Sequence, residues 1–127
     1  MKTLGLALLL SLAASPAFAE ADYSDAAQTI SHDCATDPEV SITGSSNQVT
    51  ITGTCTEISV QGATNQVTIE SSQKVDVTGS SNEVHIGATA RISLTGTNNR
   101  VTWKKSLKGK KPKISSTGVN NKIAKAK

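Results

Sequence analysis

The chain has 127 residues, a formal net charge of +3 and only 2% aromatic residues. Beyond residue 19, Tyr23 and Trp103 are the only aromatic side chains, so a thick core of large side chains cannot form. Val and Ile recur from residue 40 onward among many Gly, Ser, Thr and Asn residues, which excludes simple disorder there. The composition therefore argues against an ordinary globular core.

Residues 1–19 carry the three parts of a signal peptide: Lys2, an apolar run at residues 4–12, and the small-x-small sequence Ala17-Phe18-Ala19. The apolar run is shorter than the roughly 20 residues that span a bilayer. We expect cleavage after Ala19 and an exported protein, periplasmic or extracellular. A buried helix is the alternative interpretation. Because no later segment is apolar enough to cross a membrane, we expect no integral membrane segment in the mature protein.

Residues 20–39 are rich in Asp and Glu and lack the repeat described below, so we predict a flexible acidic leader or N-terminal cap. Cys34 and Cys55 are the two cysteines, and an even count in an exported chain favours a disulfide. Closing this loop would stabilise the fold by about 3 kcal/mol in the chain-entropy model and would fasten the leader to the first full rung. Because no Cys-x-x-Cys is present, we expect neither a metal site nor a cofactor.

The middle of the chain repeats the motif G-x-x-N-x-[VI] five times, at a nearly constant spacing that lengthens only before the last copy. The glycine and asparagine positions are Gly44 and Asn47, Gly62 and Asn65, Gly79 and Asn82, Gly96 and Asn99, and Gly118 and Asn121. An alternating apolar pair precedes most glycines and follows most asparagines. Each repeat therefore predicts two short strands that flank a four-residue corner.

A single repeat offers about four apolar side chains, which is too few for independent stability, whereas stacked repeats share one continuous core. We therefore predict an all-β fold over residues 40–127, a short parallel β-helix-like solenoid of about five rungs with two short strands per rung. A two-sheet sandwich with hairpins is the competing architecture. Its corner residues would differ between connections, so the constant register of glycine and asparagine favours the solenoid.

The repeated glycines and asparagines have a structural explanation. Glycine adopts positive φ without a Cβ clash, and asparagine tolerates left-handed geometry while its amide bonds to the next rung. We expect the ten corner residues to form a ladder along the stack. Catalysis and metal binding are less favoured explanations, because repetition in register is what stacking requires.

Residues 54–103 open with T-C-T-E-I-S-V-Q-G-A-T-N-Q-V-T-I and close with N-R-V-T-W, and this sequence resembles the bacterial family catalogued as domain of unknown function 3060. The resemblance covers roughly residues 34–103. It implies an exported repeat protein, and it implies no activity or catalytic residue. A weaker similarity joins residues 61–65 to the repeats of curlin, the subunit of bacterial curli fibres. The other four repeats lack the glutamine of that segment.

Charge is distributed unevenly. Residues 100–127 contain ten basic residues and no acidic one. The long last spacing marks an insertion at residues 104–113, whose lysines we name as a possible contact for acidic polymers: Lys104, Lys105, Lys108, Lys110, Lys111 and Lys113. Lysines without interleaved aromatics provide non-specific attraction only. A solvated loop that blocks end-to-end aggregation is the alternative.

The sequence offers little for catalysis. Asp76, Glu83 and His85 lie in one rung, but we expect them on different outward faces, and no nucleophile, zinc or phosphate-loop motif is present. We therefore expect a non-catalytic structural or binding protein of the cell envelope, with an acidic envelope polymer or a second copy as the possible partner. A self-assembling, curlin-like fibre subunit is the alternative.

Overall fold

The computed structural model describes residues 21–126, so the signal peptide predicted at residues 1–19 lies outside the described residues. The strands are β1 (Ala21–Tyr23), β2 (Thr29–Asp33), β3 (Glu39–Ser45), β4 (Gln48–Ala63), β5 (Gln66–Ser80), β6 (Glu83–Thr97), β7 (Arg100–Ser106), β8 (Lys113–Val119) and β9 (Lys122–Lys125). Within this part of the chain, no helix is long and apolar enough to cross a membrane.

Every paired strand runs parallel to its neighbour, and each pair is offset by one repeat. β4, β5 and β6 each make a whole turn, and the five glycines of the corner motif lie in one register line. The predicted all-β solenoid is therefore confirmed. It has about six turns rather than about five, because residues 21–33 add a partial turn.

The strands of the middle turns are longer than the two short strands per rung that we predicted. β5 is a continuous strand of 15 residues in which burial alternates up to Ile69 and again from Val75. Between these two residues only Ser72 is fully buried, midway along the segment. The alternation of buried and exposed residues is thus interrupted twice, once on each side of Ser72. Each interruption marks a bend, so each turn has a third, short side.

The core consists of rows of aliphatic side chains that stack along the solenoid, as the alternation predicted. The buried apolar residues of the rows are Val40, Ile42, Val49, Ile51, Ile58, Val60, Val67, Ile69, Val75, Val77, Val84, Ile86, Ile92, Leu94, Val101 and Trp103. Each such side chain stabilises the fold by about 1.5–3 kcal/mol relative to exposure. At the last turn, Ser116 and Lys125 replace apolar residues and are exposed, and β8 is exposed along its length.

The segment predicted as a flexible leader belongs to the stack, since β1 pairs with β3 and β2 pairs with β4. His32 occupies the row of Ile51 and is only 7% exposed. Its Nε2 donates to the carbonyl oxygen of Asp37 at 2.9 Å, and its Nδ1 lies 2.9 Å from Tyr23 Oη. No pattern in the sequence indicates this arrangement, because the segment lacks the corner motif.

A disulfide joins Cys34 to Cys55, and both residues are buried. It closes a sequence separation of 21 residues between the first turn and the next. The predicted pairing is therefore present, and it fastens the segment that contains β2 to β4.

Candidate functional site

The corner that contains Gly and Asn holds the turns together through a hydrogen-bonded ladder. Asn65 Nδ2 donates to the carbonyl oxygen of Gly44 in the preceding turn at 3.1 Å. The Oδ1 of Asn65 accepts from the backbone N–H of Asn47 at 3.0 Å. Asn82, Asn99 and Asn121 repeat both contacts in the following turns. The side-chain amides of the ladder are thus engaged in hydrogen bonds within the solenoid.

The left-handed residue of this corner is the one before each ladder asparagine. Thr64 has a φ of 58°, and Ser46, Ser81, Asn98 and Asn120 adopt nearly the same value. The ladder asparagines themselves are not among the residues with positive φ. The left-handed geometry that asparagine tolerates is thus adopted one position earlier in the corner.

A second corner, which the sequence did not reveal, is built on buried hydroxyls. Ser72 and Thr89 are fully buried, and the register pairs them with each other and with Cys55 and Ser106. Each hydroxyl donates to the carbonyl oxygen two residues later: Ser72 to Lys74 at 2.8 Å, Thr89 to Arg91 at 3.2 Å and Ser106 to Lys108 at 2.7 Å. The hydroxyl satisfies a carbonyl where the chain bends.

In each of these three turns, a cationic residue follows the hydroxyl-bearing residue by two positions. The segments Ser72-Gln73-Lys74, Thr89-Ala90-Arg91 and Ser106-Leu107-Lys108 recur one repeat apart. Lys74 pairs in register with Arg91, and Arg91 pairs with Lys113. Because parallel strands lie about 4.8 Å apart, these three residues form a short column of positive charge.

The insertion lies beside this column and is shorter than predicted. β7 extends to Ser106 and β8 begins at Lys113, so the irregular loop comprises residues 107–112. Its start is held by a hydrogen bond from Leu107 N–H to the Thr89 carbonyl oxygen at 2.9 Å, and Pro112 at its end is buried. The loop thus stays close to the solenoid.

Loop and column together line a groove of about 580 Å³. Its basic side chains are Lys74, Arg91, Lys108, Lys111 and Lys113. None of the described residues that line it is acidic; the others are Gln73 and Ala90. The nearest ion pair joins Lys74 Nζ to Glu57 Oε2 at 3.7 Å, and both side chains are 44% exposed. We call this feature the basic groove.

Three of the six lysines that we named from the sequence line the basic groove, and three do not. Lys108, Lys111 and Lys113 line the basic groove, whereas Lys104 and Lys105 lie in β7 beside Glu70, Gly87 and Ala88. Lys110 belongs to the loop and is not among the groove-lining residues. Sequence reasoning missed Lys74 and Arg91. The recurrence of Ser/Thr-x-Lys/Arg at the period of the repeat is the signal that would have found them.

Elsewhere on the surface, Glu83 and His85 lie on the same outward face. His85 Nε2 is 3.3 Å from Glu83 Oε2, and His85 Nδ1 is 2.9 Å from Thr102 Oγ1. The expectation of different faces was wrong for this pair, because residues two apart in a strand point the same way. Among residues 21–126, no three His, Cys, Asp or Glu side chains are grouped so as to hold a metal ion.

These features define a parallel β-solenoid with two kinds of corner, one closed by an amide ladder and the other bordered by a basic groove. The family described as protein of unknown function (DUF3060) matches residues 42–90 and again residues 72–120. The chain belongs to this family, which confirms the resemblance found in its sequence. A search of curated proteins found no match, and neither did a search of solved structures. None of the comparisons shows the similarity to curlin.

Proposed function

We propose that this chain is a non-catalytic, exported protein of the cell envelope that binds acidic polymers through the basic groove. The observation that carries the proposal is the gathering of five cations in one groove whose lining residues include no carboxylate. A groove lined by charges of one sign raises the local concentration of oppositely charged ligands. A lysine loop that only prevented aggregation would not need to lie against cations from two other turns.

The chemistry of the site supports binding rather than catalysis. The ladder amides and the corner hydroxyls donate to backbone carbonyls within the solenoid. His85 contacts Glu83 and Thr102 on an exposed strand, away from the groove. A general base has to reach the proton of a bound substrate, and His85 is not among the residues that line the basic groove.

The export part of the proposal is supported by the signal-peptide pattern and by the disulfide, since disulfides persist in oxidising compartments. Expression of the full chain in a bacterial host, followed by fractionation and N-terminal sequencing, tests it. We expect a mature protein that begins at Glu20 outside the cytoplasm. An uncleaved protein retained in the cytoplasm would refute export.

Binding is tested on the oxidised mature protein with polyglutamate and polyphosphate at several salt concentrations. We expect affinity to fall as salt rises, because each neutralised charge releases a counterion. The triple variant Lys108→Gln/Lys111→Gln/Lys113→Gln should bind more weakly than Lys104→Gln/Lys105→Gln/Lys122→Gln, which removes the same charge outside the groove. Equal losses would show that net charge alone matters, and no binding to either polymer would refute the proposal.

A self-assembling fibre subunit is the second candidate function, and one feature of the last turn favours it. β8 pairs only with β6 and β9 only with β7 among the described residues, and Ile114 and Val119 are 39% and 60% exposed. Exposed parallel strands are templates for further strands. Light scattering with thioflavin fluorescence across a wide concentration range distinguishes the two functions. Concentration-dependent fibres support assembly, whereas a persistent monomer refutes it.

A further inference from the structure

The basic groove has a centre. Arg91 pairs in register with Lys74 on one side and with Lys113 on the other, so it occupies the middle position of the cationic column. A guanidinium presents a rigid fork of donors that binds phosphate or carboxylate through two parallel hydrogen bonds, whereas lysines act as adaptable point charges. Arg91, which can bind an anion in a fixed geometry, therefore lies between two lysines that attract anions without a preferred geometry.

The backbone beneath the column is held in place. Thr89 Oγ1 donates to the carbonyl oxygen of Arg91, and Ser72 Oγ donates to that of Lys74. Both hydroxyl-bearing residues are fully buried, so the backbone carbonyls of the two cationic residues are hydrogen-bonded to side chains of the core. Binding therefore requires ordering of the cationic side chains but little ordering of the backbone that carries them.

The charge of the groove indicates the charge of its ligand. Five cations line it, and the Glu57 carboxylate beside Lys74 offsets one of them. A phosphoryl monoester carries a charge of about −1.5 to −2 at neutral pH, so two such groups match the remaining four positive charges. A single carboxylate would neutralise one of these four charges and a sulfate ion two of them.

The size and lining of the groove limit the ligand further. Its volume of about 580 Å³ is that of a small-molecule site. Tyr23 and Trp103, the aromatic residues of the described chain, do not line it, so it offers no platform for stacking nucleobases. We propose that the basic groove binds a group carrying two or more neighbouring phosphoryl groups, with Arg91 as the central ligand-binding residue. This inference rests on the proposed function and names its ligand class.

Inorganic pyrophosphate and tripolyphosphate are the probes, with calorimetry and amide chemical shifts of the mature protein as readouts. We expect shifts at residues 73–74, 90–91 and 107–113, and tripolyphosphate should bind more tightly than sulfate by at least tenfold. Arg91→Gln should weaken binding by more than tenfold. Arg91→Lys, which keeps the charge but removes the fork, should weaken it about threefold to tenfold. Lys104→Gln/Lys105→Gln is the control outside the groove and should bind like the unaltered protein.

The outcomes separate this inference from the proposed function. If polyglutamate and polyphosphate bind equally well and Arg91→Lys has no effect, the phosphoryl inference is refuted while the acidic-polymer function stands. If neither polymer binds, both are refuted. Thermal melts check that each variant is folded, and Lys113→Gln replaces Arg91→Gln if the latter unfolds.

The source of the phosphoryl groups is addressed with vesicles. A lipid ligand would be identified if the protein co-sediments with vesicles that contain a bisphosphorylated lipid headgroup but not with zwitterionic vesicles. Arg91→Gln should then abolish this co-sedimentation. Binding of tripolyphosphate without vesicle binding would identify a soluble ligand. Failure of both arms would overturn the inference.

Discussion

Asn65 and Asn82 lie at the same corner of successive turns, and the side chain of one completes the hydrogen bonding of the other. The Oδ1 of Asn82 accepts from the backbone N–H of Asn65 at 3.0 Å and from its Nδ2 at 3.1 Å. Asn82 Nδ2 in turn donates to the Gly62 carbonyl oxygen at 3.1 Å. One amide therefore satisfies three groups at a buried position.

We expect Asn82→Ala to lower the free energy of unfolding by about 3 kcal/mol, since it leaves buried donors of Asn65 without an acceptor. Urea unfolding followed by circular dichroism measures the loss. Asn121→Ala is the matched control at the last turn, where the asparagine is only partly buried, and it should cost about half as much. Equal losses would contradict a role for burial.

Close packing between successive turns requires glycine at this position of the ladder corner. A Cβ at Gly79 would overlap the carbonyl oxygen of Gly62, and its φ is 131°. We expect Gly79→Ala to destabilise the protein by more than about 4 kcal/mol or to prevent folding. Gly109 also has positive φ, at 69°, but a Cβ there would meet nothing within 4 Å. Gly109→Ala should therefore cost only about 1 kcal/mol, and a similar cost for both would refute the steric explanation.

Thr64 is a β-branched residue with a φ of 58°, whereas the equivalent positions of two later turns hold Asn98 and Asn120. Asparagine enters the left-handed region more readily than threonine. Thr64→Asn should therefore raise the free energy of unfolding by about 1 kcal/mol, and Asn98→Thr should lower it by a similar amount. The midpoint of urea unfolding at unchanged slope measures both. Changes of the same sign would contradict this explanation.

Cys55 occupies the row of corner hydroxyls, since it pairs in register with Ser72. Removal of the disulfide in Cys34→Ala/Cys55→Ala should cost about 3 kcal/mol. Cys34→Ala/Cys55→Ser should recover about 1 kcal/mol of that loss, because serine can repeat the hydrogen bond that Ser72 makes. Thermal unfolding of the two double variants provides the comparison. A serine variant no more stable than the alanine variant would contradict the hydroxyl-corner explanation.

His32 bridges Tyr23 and Asp37 in the first turn. Because a carbonyl oxygen only accepts, Nε2 carries a proton, and in the neutral ring Nδ1 accepts from Tyr23 Oη. We expect ¹⁵N chemical shifts to show the Nε2–H tautomer at neutral pH. His32→Phe should cost about 2 kcal/mol and Tyr23→Phe about 1 kcal/mol, since the former leaves two partners unsatisfied. An Nδ1–H tautomer would contradict the assigned donor.

The amino-acid sequence by itself determined the stacked architecture. Alternation of apolar residues such as Val75 and Val77 selects one face of a strand, and repetition of Gly and Asn at nearly constant spacing makes identical turns the simplest way to bury those faces. These are local or periodic signals, and they require no knowledge of which turns touch. The pairing of Cys34 with Cys55 could also be predicted from the sequence, because the chain has no other cysteine.

Only the tertiary structure decided where the remaining groups lie. Residues 21–33 join the stack without the corner motif, because backbone pairing with β3 and β4 does not require it. Lys113 joins Lys74 and Arg91 only when three turns are in register, and the loop at residues 107–112 conceals the place of Lys113 in that register. The face on which each lysine lies depends on where β7 ends and β8 begins. That boundary is set by packing of the loop against the turn beneath it, which no local pattern records.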